Sequence, residues 1–469
     1  MYIEQLYTSC LAEAAYYIES GGQAAIIDPL RDPQPYVELA KSRRAEIKYI
    51  FETHFHADFV SGHIDLARET NAQIIYGPTA SAAYDIVVAE DDEIFPLGDI
   101  QIKVLHTPGH TMESSCFLVL DEEGKEHSVF TGDTLFIGDV GRPDLAIKTD
   151  LSREDLARHL FRSIQSKLMP LHDETVVFPG HGAGSQCGKN LSNERSSTIG
   201  NQKRYNYALQ EDSEEGFVKA VTSGLTAPPQ YFPKNAVINK MGYERFDDIL
   251  ERSLNPMDVM DFVSAMTEEG TVVVDTRDPG PYSLKHIPGS YFFGLNGSFA
   301  VWVGTIIRDL NTPILLVADP DKEKEAITRL ARVGYCNVVG YLEGGFANWV
   351  EADFQISSLD NICPVDFRKN ESPKSILDVR TANEFESGHV ESAVNIPLSE
   401  LVDYEGLNPD ARYYIYCRSG YRSMIACAIL KRQGFSNLIN LKKGYQGYSD
   451  PSKTCCCVAA TKFANNGTR

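Results

Sequence analysis

Nowhere in the 469 residues do about 18 apolar residues follow one another, and the opening MYIEQLYTSCLAEAAYYIES has no basic segment leading into an apolar core. The first absence argues against a membrane-spanning helix and the second against a secretory leader, so a soluble, cytoplasmic chain is expected. Basic residues are also scarce: 44 lysines and arginines face 65 aspartates and glutamates, for a formal net charge of −21, and no Lys/Arg cluster stands out. A nucleic-acid footprint is therefore not expected, and small anions or thiols would need local cations to bind. Ten cysteines lie at 10, 116, 187, 336, 363, 417, 427 and 455 to 457, with no CxxC pair. That pattern fits free thiols in a reducing compartment better than a disulfide framework. Cys455, Cys456 and Cys457 have no histidines nearby and read as incidental thiols of a tail.

What is present, 43% hydrophobic and 23% charged residues over this length, suits about three domains. The first ~200 residues alternate short β-branched runs such as QAAIIDP and IKYIFETH with helical stretches such as PYVELAKSRRA, the pattern of an α/β domain. A helical and Pro-rich connector, TAPPQYFPKNAV, follows. The remainder repeats itself. VVVDTRDPGPYSLKHIPGSYFF (272–293) and SILDVRTANEFESGHVESAVNIP (375–397) share Asp-x-Arg and a histidine eleven residues after the aspartate, and YLEGGFANW (341–349) answers LKKGYQGY (441–448). The expected domains are 1–250, 251–357 and 358–469, the last two being tandem α/β copies.

The stretch THFHADFVSGH (53–63) sets His54 and His56 one residue apart just past an apolar strand, so both imidazoles can face one side of a strand exit, with Asp58 following. Downstream, VLHTPGHT places His110 after a Pro-Gly turn, SVFTGDTLF places Asp133 at a strand end, and VVFPGHGAGS places His181 in a further loop of this kind. Four strand-end loops carrying metal-type donors are not explained by core packing. His106, His127, His159 and His172, taken singly, read as surface or packing residues.

In order and spacing, THxHxD, TPGHT, TGDTLF and PGHG resemble the metallo-β-lactamase fold, an αββα sandwich with its site along one edge of the sheets. The resemblance covers about residues 1 to 250. Hydrolytic members such as glyoxalase II carry THxHxDH, and the last histidine helps to build a second metal site. This chain has Phe59 there, which leaves Asp58, His181 and a shared Asp133 around an apolar ring and disfavours a two-metal hydrolase. His54, His110 and Asp133 form a 2-His-1-carboxylate set with open positions, the arrangement of non-haem Fe(II) oxygenases. With GDTLFIGDVGRPDL following the aspartate, the pattern resembles the persulfide dioxygenase branch. The resemblance implies one Fe(II) per chain on that triad, with His56, Asp58 and His181 outside the ligand set, although the residues alone leave His56 open as a ligand. Asp58 is a natural outer partner for a ligating histidine. Arg142 either pairs with a substrate carboxylate or forms an ion pair with Asp139 or Asp144. Cys187, six residues beyond His181, either sits near the mouth and exchanges sulfur or is a buried inert thiol.

In the second repeat the apolar strand YYIYC ends in CRSGYRS and continues into a helical pattern. A thiolate at a helix N-terminus, ringed by backbone N–H groups and two guanidiniums, is stabilised and binds anions, which makes Cys417 the expected nucleophile and Arg418, Ser419, Gly420, Tyr421 and Arg422 its substrate cradle. With ILDVR and GHV, the loop resembles the rhodanese domain, in which this cysteine carries a persulfide. Phosphatase loops have five residues between Cys and Arg, whereas this loop has four. Cys427 reads as a packing residue of the following helix. The first repeat offers Asp319 or Ala318 where the cysteine should be, so a structural role is expected for it. The whole resembles a persulfide dioxygenase fused to two rhodanese-like domains, the first inactive. The resemblance implies oxidation of a glutathione- or coenzyme A-type persulfide by O2 to sulfite, coupled to sulfur exchange with thiosulfate; a homo-oligomer is expected, and the charge balance and lack of long apolar runs argue against nucleic-acid and membrane partners. The alternatives are a zinc thioester hydrolase of the glyoxalase II kind and a non-catalytic sulfur carrier.

Overall fold

The computed structural model describes residues 1–145, 151–225, 227–369, 375–450 and 452. Cys455, Cys456 and Cys457 lie outside the described residues. By contact density the chain forms two units: Met1–Ile249 together with Thr328–Cys336, and Leu250–Ile327 together with the described residues from Asn337 onward. Among the described residues, no helix is long and apolar enough to cross a membrane.

The first unit holds two six-stranded sheets. One runs in the order Tyr2–Thr8, Glu13–Ser20, Gln23–Ile27, Glu46–Glu52, Gln73–Tyr76, Val87–Val88; the other in the order Ser197–Thr198, Val176–Pro179, Glu126–Gly132, Ser115–Leu120, Ile100–His106, Ile94–Leu97. The period-2 alternation of each strand decides which core a residue joins. Tyr16, Ile18, Ile27 and Phe51 meet Leu97, Ile102, Val104, Phe117 and Phe130 between the sheets. Their neighbours Tyr17, Ile26, Ile50 and Tyr76 face the other way, onto Tyr36, Val37, Ala40 and Leu66 of the helices Gln34–Arg43 and His63–Thr70. Leu105, Cys116, Leu118, Val129 and Val177 likewise pack outward on Ala157, Leu160, Phe217 and Val221 of Arg153–Ser163 and Glu214–Thr222. Four layers result, αββα.

Residues Thr328–Cys336, which the chain reaches only in the first repeat, cluster with this unit, and Val60 N–H donates to the Arg332 carbonyl at 2.7 Å.

The two repeats have the same parallel topology. Their sheets run Pro256–Met257, Val338–Leu342, Ile314–Val317, Val272–Asp275, Tyr291–Phe292 and Asp360–Ile362, Leu438–Leu441, Tyr413–Tyr416, Ser375–Asp378, Ala393–Asn395. The motifs they share are scaffold. Asp275 and Arg277 form a buried ion pair closing at 2.6 Å, Asp378 and Arg380 form its twin at 2.6 Å, and each arginine also donates to a carbonyl eight residues on, Lys285 or Gly388. The shared histidines repeat each other too: His286 stacks on Tyr282 and His389 on Phe385, each with Nδ1 against the carbonyl of that aromatic residue.

Candidate metal centre and thiol site

Each donor of the first unit leaves a strand at its C-terminal end, so all reach one edge of the sandwich. His54 follows Glu46–Glu52, His110 the turn after Ile100–His106, Asp133 the strand Glu126–Gly132, and His181 the strand Val176–Pro179. Two glycines make the approach possible. Gly132 has φ +46°, and a Cβ there would lie 2.5 Å from Thr53 Oγ1; a Cβ on Gly109 would lie 2.4 Å from the Leu160 backbone.

The donors of His54, His110 and Asp133 lie within 4.8 Å of one another, all buried. Hydrogen bonding fixes the tautomers. His110 Nδ1 is 2.9 Å from the Arg142 carbonyl, which can only accept, so Nδ1 carries the proton and Nε2 is bare, 3.5 Å from Asp133 Oδ2. Thr53 Oγ1 gives its proton to Asp28 Oδ2 at 2.8 Å and so accepts from His54 Nδ1 at 3.0 Å, leaving His54 Nε2 bare as well. Burial and the neighbouring imidazoles hold His54 well below the usual histidine range, which keeps it neutral. Both Asp133 oxygens are buried without a hydrogen-bond partner. Two bare imidazole nitrogens facing an unpartnered carboxylate fit a cation.

The outer partner of His54 is the Asp28–Thr53 pair, a role the sequence left to Asp58 as the candidate for any ligating histidine. Asp58 instead approaches His181, whose Nε2 lies 3.5 Å from Asp58 Oδ2 and 3.4 Å from Asp133 Oδ1. Cys187, buried at 2% exposure, brings its thiol to Asp58 and His181 in a second three-donor group. The second site is thus more than the two residues and shared carboxylate expected once Phe59 removed a ligand. Burial, then the Asp133 and Asp58 carboxylates, push the Cys187 thiol well above its ordinary value.

His56 turns elsewhere. Its Nε2 lies 3.0 Å from Asp28 Oδ1 and 3.5 Å from Glu52 Oε2, and these residues form a third three-donor group. Burial lowers the His56 pKa, but Asp28, Glu52 and Asp58 outweigh it and push it up to about 10. Phe59 stacks on the ring at 4.3 Å. Arg142 is buried and directs its guanidinium to both oxygens of Asp144, at 2.7 Å each, and to the Gln186 carbonyl. Of the two readings left open, the geometry favours the ion pair over substrate capture.

In the second repeat, Cys417 directly follows Tyr413–Tyr416, and the helix Tyr421–Arg432 begins at Gly420. The Gly420 N–H lies 3.1 Å and the Ser423 hydroxyl 3.6 Å from Cys417 Sγ; Ser423 stands in the first turn of the helix, outside the stretch Arg418 to Arg422 that the sequence marks as the cradle. Arg418 and Ser419 are exposed. Two members of the expected cradle have other partners: Arg422 is bidentate to Glu384 at 2.7 Å, and Tyr421 donates to the Gly294 carbonyl of the first repeat at 2.8 Å. Cys427 is fully buried in the helix, and burial raises its pKa. In the first repeat the strand pairing aligns Asp275 with Val317 as it aligns Asp378 with Tyr416, so Ala318, not Asp319, stands at the cysteine position.

Imidazole and carboxylate donors lie on one edge of an αββα sandwich, and two parallel-sheet repeats follow, of which the second carries a cysteine, Cys417, directly after its strand Tyr413–Tyr416 where the first carries Ala318. Residues 9–181 match the metallo-beta-lactamase superfamily, and residues 259–352 and 365–451 match the rhodanese-like domain. A crystal structure of a metallo-beta-lactamase from Staphylococcus aureus subsp. aureus COL is 32% identical, with a TM-score of 0.63, and the match covers 73% of this chain and 98% of that one. The chain belongs to the metallo-β-lactamase superfamily, as a member extended by two rhodanese-like domains. A crystal structure of ETHE1 from Myxococcus xanthus is 26% identical over 51% of this chain and 98% of that one, with a TM-score of 0.44. A probable hydroxyacylglutathione hydrolase of Schizosaccharomyces pombe is 34% identical over 35% of this chain, which spans 60% of that protein's length.

Proposed function

We propose that this chain is a non-haem iron persulfide dioxygenase coupled to rhodanese sulfur transfer, with domains 1–250, 251–357 and 358–469, acting in the cytoplasm as a homo-oligomer. The observation that supports it is the donor set: donors of His54, His110 and Asp133 converge while His56 Nε2 lies against Asp28, which leaves positions open on a bound cation. Iron bound there supplies the redox chemistry by which RSSH, O2 and water become RSH and sulfite. The protein's part is to hold the two imidazoles in their ligating tautomers through Thr53 and the Arg142 carbonyl, and to keep the carboxylate dry.

Cys417 handles sulfane sulfur. Its thiolate attacks the outer sulfur of thiosulfate, the S–S bond breaks toward sulfite, and the Cys417 persulfide remains against the Gly420 N–H. A small thiol of the glutathione or coenzyme A type then carries the sulfur away as a persulfide, and the reverse sequence makes thiosulfate from sulfite. The Asp58, His181 and Cys187 group supports a second reading, a two-metal thioester hydrolase. Metal analysis and oxygen uptake with glutathione persulfide and coenzyme A persulfide separate the two. One iron per chain, with O2 consumed as sulfite appears, is expected. Two zinc ions per chain and thioester hydrolysis without oxygen uptake would overturn the dioxygenase reading.

A further inference from the structure

We infer that Asp28, Glu52 and Phe59 are positioning residues that hold His56 off the metal and so keep a coordination position open. The inference rests on the assignment of the metal to His54, His110 and Asp133. The His56 ring centroid is only 4.2 Å from that of His54, so reorientation of the side chain would bring a third imidazole to the triad. Three imidazoles and a carboxylate would make the closed four-ligand shell that suits zinc, not an open one.

Three contacts oppose that move. Nε2 lies between Asp28 Oδ1 at 3.0 Å and Glu52 Oε2 at 3.5 Å, and the ring lies on the fully buried Phe59 at an interplanar angle of 30°. Both carboxylates are fixed from behind. Asp28 accepts the Thr53 N–H and hydroxyl, each at 2.8 Å; Glu52 Oε1 accepts the Ser61 hydroxyl at 2.5 Å and lies 3.3 Å from His63 Nδ1. Neither His56 nitrogen, nor Glu52 Oε2, makes an aligned hydrogen bond. The imidazole therefore sits in a slot walled by two anchored carboxylates and the Phe59 ring, and altering one wall of that slot should release it. Phe59 does two things at once: it supplies no donor of its own, and it packs a neighbouring donor away.

The test is a double-mutant cycle on the full chain, with Glu52→Gln, His56→Ala and both together. Glu52 serves because its carboxylate approaches His56, Ser61 and His63, whereas that of Asp28 also holds the Thr53 hydroxyl that orients His54. Zinc affinity by chelator competition is the primary readout, since it assumes nothing about the native metal; the EPR signal of the nitric oxide adduct of iron-loaded protein reports open positions. Glu52→Gln should bind zinc about tenfold or more tighter than wild type and lose much of the nitrosyl signal. His56→Ala alone should match wild type in zinc affinity, and the double variant should match His56→Ala. The proposal is overturned if the Glu52→Gln effect is absent, if it persists without His56, or if His56→Ala alone weakens zinc about tenfold, which would make His56 a ligand already. Should Glu52→Gln not fold, Phe59→Ala replaces it in the same cycle, removing the stack instead of the charge. A wild-type protein that takes up no oxygen would defeat the dioxygenase reading and leave this cycle readable on zinc.

Discussion

Thr53→Val changes a single atom type at the point where two buried groups depend on one hydroxyl. Thr53 is 2% exposed, and its Oγ1 both donates to Asp28 and accepts from His54 Nδ1. Valine keeps the shape, including the methyl packed against Gly132, but leaves an Asp28 oxygen and the His54 Nδ1–H without that partner. A hydrogen bond to a charged group contributes about 1.5–3 kcal/mol, so the metal-free protein should lose roughly that much stability. The larger consequence is for the metal: His54 would no longer be restricted to the tautomer with a bare Nε2. Loss of an outer partner typically weakens binding about 10- to 100-fold, or about 1.4–2.7 kcal/mol. Chelator competition gives the affinity, and denaturant unfolding of metal-free protein gives the stability. Thr53→Ser, which keeps the hydroxyl, should retain wild-type affinity to within about threefold. Equal metal affinity in the valine and serine variants would refute this account of how His54 is oriented.

Cys417→Ser should reduce thiosulfate sulfurtransferase activity to background, and adding Ala318→Cys should not restore it, because a sulfane carrier needs its cradle of donors as well as a sulfur atom; turnover in that double variant would count against the assignment. Arg142→Ala removes one partner of a buried ion pair and should cost about 3–5 kcal/mol, lowering Tm with little change in the persulfide KM, whereas a selective rise in KM at unchanged Tm would restore a substrate role. Burial lowers the His286 pKa to about 4, below the ordinary value near 6.5, so between these values the unfolded chain binds more protons. The stability this histidine contributes is therefore present above pH 6.5 and lost as pH falls toward 4, by up to about 3 kcal/mol. His286→Gln should flatten that slope in denaturant unfolding followed by the fluorescence of Trp302 and Trp349, both in the second unit.

The strand-end loops were legible in the sequence because two local signals coincide in each: turn residues that stop a strand, and a donor directly after them. TPGHT, TGDT and PGHG carry both, and Phe59 is conspicuous only against that pattern. Asp28 was harder to see, since IIDP reads as an ordinary strand end; the one available hint is a buried carboxylate where a strand stops, and its left-handed φ of +50° appears only in the structure. Cys187 meets Asp58 across a separation of 129 positions, and no local pattern predicts such a meeting. The ambiguity over Arg142 arose because both readings need the same residue, and it resolves once Asp144 is seen two positions away in bidentate geometry. Tyr421 and Arg422 look like cradle residues by position in the loop, and their further contacts with Gly294 and Glu384 join positions too far apart in sequence for a local pattern to show. The choice between Ala318 and Asp319 is a matter of strand register, which a one-residue uncertainty in sequence cannot fix.

The nine residues Thr328–Cys336 give the first unit a history that its strand order does not suggest. A ribosome finishes Ile249 well before it reaches Thr328, and at about 5–20 residues per second the interval is on the order of 4–16 s. Throughout that time the nascent sandwich lacks the carbonyl of Arg332 that Val60 N–H uses, one position from Phe59. The metal edge therefore reaches its final form only after part of the first repeat has been made. A metal acquired earlier during synthesis would meet an edge still missing one of its neighbours, so translation speed across residues 250–327 becomes a variable in metal loading.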